Sequence, residues 1–340
     1  MKNYRQTLGT VLRIAIAVAI VVYLFHSPLM KNVHWADTLR QAAGHWPWMI
    51  GAFALTLPPI LMCMARWKLI LDAQGMRIGW QRTNTIFFIG LFFNSFMIGS
   101  TGGDLMKAYY AARETQHKKI EAVTSILVDR VIGLLTLALV VAVMIVWKWD
   151  FFNAHDATRN VALPALVVSV AVCVGGVLAF SVHIFEKLPW LRRWQTQPVI
   201  GKVMAMAERV YNAFFVCRAK PRVLGLTLLY SVILQFLFVV VAAVVGTSLG
   251  IESPFVNYLA ISPLIGLVSA IPVTPGGMGV REGLSALLWS TLGVSMDKAI
   301  LLAFLPFVFL VLWGLPGGLL FLFHRGGESR TIEEEMKAME

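Results

Sequence analysis

Two short glycine turns carry the residue types best suited to chemistry. The first runs Ser95-Phe96-Met97-Ile98-Gly99-Ser100-Thr101-Gly102-Gly103-Asp104-Leu105-Met106-Lys107. The second runs Ser269-Ala270-Ile271-Pro272-Val273-Thr274-Pro275-Gly276-Gly277-Met278-Gly279-Val280-Arg281. Gly102 and Gly276, like Lys107 and Arg281, stand 174 residues apart, so a serine, a hydroxyl, Gly-Gly and a basic residue fall in register. Gly-Gly lets a backbone turn sharply and come close to another group. The hydroxyls of Ser100, Thr101 and Thr274 are suited to capping the helix that follows each turn. An open helix N-terminus with Lys107 or Arg281 one turn further on attracts anions, phosphate above all. The competing reading is a pair of tight structural turns that bind nothing. The match between the two, each with its basic residue, weighs against it.

Other charges lie at a depth where charge is costly. Asp129 and Arg130 stand about ten residues into an apolar run that begins at Ile120. That is roughly 15 Å of helix, so both should face a bundle interior or a wet cavity. A structural ion pair with other helices and a substrate or proton site are both open readings for them. As neighbours they project about 100° apart on a helix and should not pair with each other. Asp104 is a candidate to cap its own helix or to pair with Arg130, and Glu282 is its counterpart after the second turn. Asn94, just before the first turn, can satisfy broken backbone or touch a ligand. These residues form the candidate substrate site: Asn94, Ser100, Thr101, Gly102, Gly103, Asp104, Lys107, Asp129, Arg130, Thr274, Gly276, Gly277, Arg281 and Glu282.

The elements that must hold them are transmembrane. Of 340 residues, 58% are hydrophobic and 14% charged, against about 25% charged in a soluble domain. Apolar runs at 8–26, 46–65, 84–98, 120–147, 161–183, 223–249, 255–272, 277–292 and 299–323 mark the helices. The N-terminus, 66–82, 107–119, 183–222 and the tail from Arg325 are rich in Lys and Arg and should be cytoplasmic. Loops 27–45, 148–160, 249–254 and 293–298 should face outside. Segments 66–82 and 107–119 then share a side, so run 84–98 and a return leg at 103–114 form a hairpin from the cytoplasm. By the same logic, 255–272 and 277–292 form a hairpin from outside. Short, Gly/Pro-interrupted runs of this kind are the mark of broken helices that line a cavity.

The expected fold is therefore an all-α polytopic membrane protein. It has about six spanning helices plus two opposed re-entrant helical hairpins in an inverted repeat, with both termini inside. A single transmembrane domain covers 1–323, in halves of about 8–147 and 161–323, with a short charged tail at 324–340. Periodic apolar residues over 198–220 fit an amphipathic helix on the headgroup surface. Pro58-Pro59 should kink the second span. Trp35, Trp46 and Trp48 look like an interfacial belt.

Several function classes drop out. The net charge of +11 is scattered between apolar runs and lacks a DNA-reading module, which argues against nucleic-acid binding. Cys63, Cys173 and Cys217 have no metal-ligand spacing, nor do His26, His34 and His45, so no metal is expected. Run 11–25 ends in Phe25-His26-Ser27-Pro28 without a small-x-small site, which favours a first span over a cleaved signal. No HExxH, Ser-His-Asp order or Walker A signature appears, so no catalytic residue and no cofactor is expected.

At three segments the sequence resembles a known family, the transmembrane region of lysylphosphatidylglycerol synthases, a flippase-like family. The segments are Phe92-Phe93-Asn94-Ser95-Phe96 through Gly102-Gly103-Asp104 to Lys107, then Ser125-Ile126-Leu127-Val128-Asp129-Arg130 with Gly133, and Pro275-Gly276-Gly277-Met278-Gly279-Val280-Arg281-Glu282. The resemblance covers about residues 8–323. It implies a protein that moves a phospholipid or lipid-linked headgroup across a prokaryotic cytoplasmic membrane. The expectation is a stand-alone member, without the soluble synthase domain and not an enzyme. The alternatives are a membrane glycosyl- or acyltransferase acting on lipid, and a non-transporting subunit of an envelope assembly. The expected partner is the lipid itself, and small residues in the spans permit a homo-oligomer.

Overall fold

A computed structural model of the chain describes residues 44–96, 102–115, 118–181, 220–270, 277 and 279–323. The expected first span at 8–26, most of the amphipathic segment 198–220, and the tail all lie outside the described residues, as do Ser100, Thr101, Thr274 and Gly276.

The described residues form helices and no strands. In chain order these are α1 (Trp46–Leu55), α2 (Leu57–Ala73), α3 (Trp80–Phe96), α4 (Gly102–Glu114), α5 (Lys119–Trp147), α6 (Trp149–Asn153), α7 (Asp156–Ser181), α8 (Pro221–Ser248), α9 (Phe255–Ser269), α10 (Val280–Ser290) and α11 (Met296–Phe323). Five stretches are long and apolar enough to cross a bilayer: Trp46–Ala73, Lys119–Trp147, Asp156–Val177, Pro221–Ser248 and Met296–Phe323. Their outer faces are apolar: Leu139, Val143, Val167 and Val177 are each more than half exposed. Water would penalise such a surface, and lipid does not. The chain is a multi-pass membrane protein.

Beyond these stretches and the five-residue α6, four helices are shorter. α3, α4, α9 and α10 have 17, 13, 15 and 11 residues. At 1.5 Å per residue they reach about 16 to 26 Å, less than a hydrocarbon core of roughly 30 Å. α3 packs along α4, and α9 along α10.

Hydrogen bonds from three lysines fix which ends lie together. Lys118 Nζ donates to the Gly75 carbonyl at 3.3 Å, and Lys220 Nζ donates to the Ala73 carbonyl at 2.9 Å. The end of α2 and the starts of α3, α5 and α8 therefore share one end of the bundle. At the other end, Lys298 Nζ donates to the Gly250 carbonyl at 3.3 Å, and Ser248 Oγ lies 3.8 Å from Met49 Sδ. The α3–α4 pair starts from the first end and the α9–α10 pair from the second.

One expected boundary is corrected. The second span does not stop at residue 65 with a basic loop at 66–82. The helix continues to Ala73, and Arg66 and Lys68 are buried inside it. Leu69-Ile70-Leu71 carries the apolar pattern past both. The kink expected at Pro58-Pro59 falls just before them: α1 and α2 meet at Thr56, where proline removes backbone donors. The Thr56 hydroxyl donates to the Phe53 carbonyl at this junction. Residues expected as a plain loop at 148–160 contain α6 and the first turn of α7.

Two large apolar cores result. One gathers α2, α3, α4, the start of α5 and Phe321 of α11. The other gathers α1, the far part of α5, and α7 to α11. α5 serves both, with Ile126 in the first and Val141 in the second. Asp129 and Arg130 lie on the stretch of α5 between them.

Candidate functional site

The α3–α4 turn is built around a backbone contact. A Cβ at Gly103 would overlap the Gly90 carbonyl oxygen, so only glycine lets α4 start this close to α3. Asn94 Oδ1 accepts the Gly103 N–H at 3.0 Å. This satisfies one of the orphan donors at the start of α4 from the preceding helix. Asp104 adds a negative charge in the first turn, where the helix dipole favours it.

Asp104 is also a hub. Its carboxylate accepts from Arg130 of α5 and lies 3.7 Å from Lys107 Nζ. Lys107 is buried, with its ammonium 4.6 Å from the Phe87 ring centre and 5.7 Å from that of Trp67. Arg130 differs: its side chain is 46% exposed.

Asp129 points the other way and meets Arg66 of α2. Arg66 Nε donates to Oδ1 at 2.7 Å, and Nη2 donates to Oδ2 at 3.0 Å. This two-pronged fork is the strong form of the pair. Arg66 Nη1 donates to Ser231 Oγ of α8 at 2.9 Å. Gly133 makes room, because a Cβ there would sit 3.3 Å from Arg66 Nη1. One seam thus crosses α8, α2, α5, α4 and α3, and its ion pairs join three cations to two carboxylates.

The second turn has its own pair. Gly277 and Gly279 take φ of 71° and 83°, a region that favours glycine. A Cβ at Gly277 would crowd the Ser269 carbonyl oxygen at 2.9 Å. Glu282 Oε2 accepts the Gly279 N–H at 2.6 Å and caps α10, while Oε1 accepts from Arg281 Nη2 at 2.6 Å. The Arg281 guanidinium stacks 4.8 Å from the Phe307 ring centre. Each turn therefore holds its cation against a carboxylate and an aromatic ring.

α11 links the turns. Phe307 lies under Arg281, and a Cβ at Gly314 would sit 3.5 Å from Ser95 Oγ. Seven residues separate Phe307 from Gly314. That is two helical turns, so both share one face about 10 Å apart along the axis.

The structure brings together Asn94, Gly103, Asp104, Lys107, Asp129 and Arg130, and separately Gly277, Arg281 and Glu282. It adds Arg66 and Ser231, which sequence reasoning missed. The signal for Arg66 was the unpaired Asp129, which demanded a cation from another helix at similar depth.

Comparison with known proteins agrees with a membrane protein. A UPF0104 membrane protein of Methanothermobacter thermautotrophicus is 24% identical over 315 residues, covering 86% of this chain and 87% of its own. A UPF0104 membrane protein of Pyrococcus horikoshii is 23% identical over 288 residues, covering 78% of this chain and 84% of its own. No solved structure matches the chain. The model of the lysylphosphatidylglycerol synthase TM region matches residues 10–317, so the chain belongs to that membrane-protein family.

Proposed function

We propose that the protein is a lipid flippase or scramblase that moves a phospholipid or lipid-linked headgroup across a prokaryotic cytoplasmic membrane. It does so without covalent chemistry. The pairs α3–α4 and α9–α10 are re-entrant hairpins that enter from opposite faces as inverted repeats. The lysine-rich end with Gly75, Lys118 and Lys220 is cytoplasmic, as are both termini. The family takes its name from the membrane region of a lipid-modifying enzyme, which agrees with a lipid cargo.

The observation that carries this reading is the charged seam around Asp129 and Arg130, set between two apolar cores. Charge at such depth is expensive and marks a polar path. The headgroup passes along it while the tails stay in lipid. Lys107, Arg130 and Arg281 attract phosphate, and Asp104, Asp129 and Glu282 position those cations. The glycine turns let the backbone come close to the headgroup. Rocking of one half against the other alternates access.

The test is reconstitution of the purified chain into liposomes carrying a fluorescent phospholipid, with quencher added outside. Wild type should expose inner-leaflet lipid faster than empty liposomes, and Arg130→Ala should slow it about tenfold or more. A wild-type rate equal to that of empty liposomes for anionic, zwitterionic and aminoacylated lipids sinks the proposal.

A further inference from the structure

The cations of the seam and of the second turn are not equivalent. Arg66 is held by a two-pronged pair and a hydroxyl, and its side chain is 7% exposed. Lys107 is packed against two rings. Arg281 lies on Glu282 and Phe307. Arg130 alone among these four is about half exposed, and the carboxylate it holds has a second cation at hand. Asp104 can let go of Arg130 and stay neutralised by Lys107, 3.7 Å away. The exchange leaves no buried charge unpaired, which would otherwise cost several kcal/mol.

The surroundings of Arg130 say what kind of molecule triggers it. Leu105, next to Asp104, is exposed, and so are Val131 and Leu134 beside Arg130 on α5. A cation at the rim of an exposed apolar face fits an amphiphile, with its head on the guanidinium and its tail along the leucines. The seam's ion pairs carry three cations and two carboxylates, an excess of one positive charge. One phosphodiester monoanion balances it. A zwitterionic headgroup brings a second cation toward Asp104 and competes with Lys107.

We infer that Arg130 is the residue that receives the headgroup, with Asp104 passing from Arg130 to Lys107, and that the site selects lipids with a net monoanionic phosphodiester head. This rests on the transport reading above for its purpose but not for its test. A guanidinium suits phosphate oxygens, with which it forms charge-assisted hydrogen bonds. Asp104 acts as a built-in competitor, which keeps the head from being trapped.

The test is binding to the full chain in detergent, read by native mass spectrometry with dihexanoyl-phosphatidylglycerol, dihexanoyl-phosphatidylcholine and inorganic phosphate. Wild type should retain the glycerol lipid about fivefold better than the choline lipid, the scale of one partly exposed ion pair. Arg130→Gln should erase the preference. Asp104→Asn, which removes the competitor, should tighten the anionic lipid by a similar factor. Equal retention of both lipids by wild type overturns the inference. So does looser anionic binding in a folded Asp104→Asn protein, or inorganic phosphate competing as well as the lipid. Preserved preference with no lipid movement in liposomes contradicts the transport reading alone.

Discussion

Asp129 and Arg130 are adjacent in sequence, and the 100° between them on α5 sends them to different partners. Asp129 closes a buried fork with Arg66 that ties α2, α5 and α8, while Arg130 sits half exposed on Asp104. Removing one member of a buried pair strands the other, at about 3–5 kcal/mol. Asp129→Ala should therefore lower the thermal unfolding midpoint in detergent far more than Arg130→Ala, whose exposed pair contributes about 1 kcal/mol or less. An Arg66→Met/Asp129→Leu double variant should recover much of the loss, because no charge is left unpaired. That Asp129 could pair with another helix was legible in the sequence, because it interrupts a long apolar run. Arg66 was not, because a basic triplet Arg66-Trp67-Lys68 at the edge of an apolar run reads as a loop. Only the partner on α5, distant in sequence, explains why an arginine is tolerated there. Asn94 was readable as a backbone partner, since an amide placed before a glycine break has few other uses.

At the scale of elements, α3 is gripped on two sides by glycines. A Cβ at Gly103 would overlap the Gly90 carbonyl, and one at Gly317 would overlap the Phe88 carbonyl. Backbone cannot move aside as a flexible side chain can, so Gly103→Ala and Gly317→Ala should each destabilise by about 1–3 kcal/mol or more. Gly283 on α10 is the control. Nothing lies within 4 Å of its would-be Cβ, and Gly283→Ala should be neutral or slightly stabilising. Thermal melts of the three variants in one detergent check the order. The helix pairs were legible because Gly-Gly punctuation and matched loop charges delimit them. The start of α3 at Trp80, ahead of the apolar run, was less so: Gln81 and Arg82 are polar and belong to its first turn. Why α11 should pack so closely on α3 is visible only afterwards. Gly314, Gly317 and Gly318 look like common small residues until their neighbours are known.

For the whole molecule, the proposed topology puts the two lysine-tied ends on opposite sides of the membrane. Single cysteines at exposed Gln81 and Glu252, with Cys63, Cys173 and Cys217 replaced, should react with an impermeant maleimide from opposite sides of sealed vesicles. Labelling of both from one side would contradict the arrangement of the hairpins. The expectation of this topology comes from the charge pattern, since Lys and Arg crowd one set of loops. What sequence could not supply was the meeting of both turns on one face of α11, because helix packing depends on side chains far apart along the chain.

That meeting point allows the most direct test of lipid movement by rocking halves. Ser95 belongs to the first half and Gly314 to the second, and a Cβ at Gly314 would lie 3.5 Å from Ser95 Oγ. A Ser95→Cys/Gly314→Cys pair is close enough for a disulfide without large backbone movement. In proteoliposomes of this variant lacking the native cysteines, lipid movement should run in reductant, stop on oxidation and return on reduction. Movement at full rate with the bridge closed, or none in the reduced protein and in wild type, would contradict lipid movement by rocking halves.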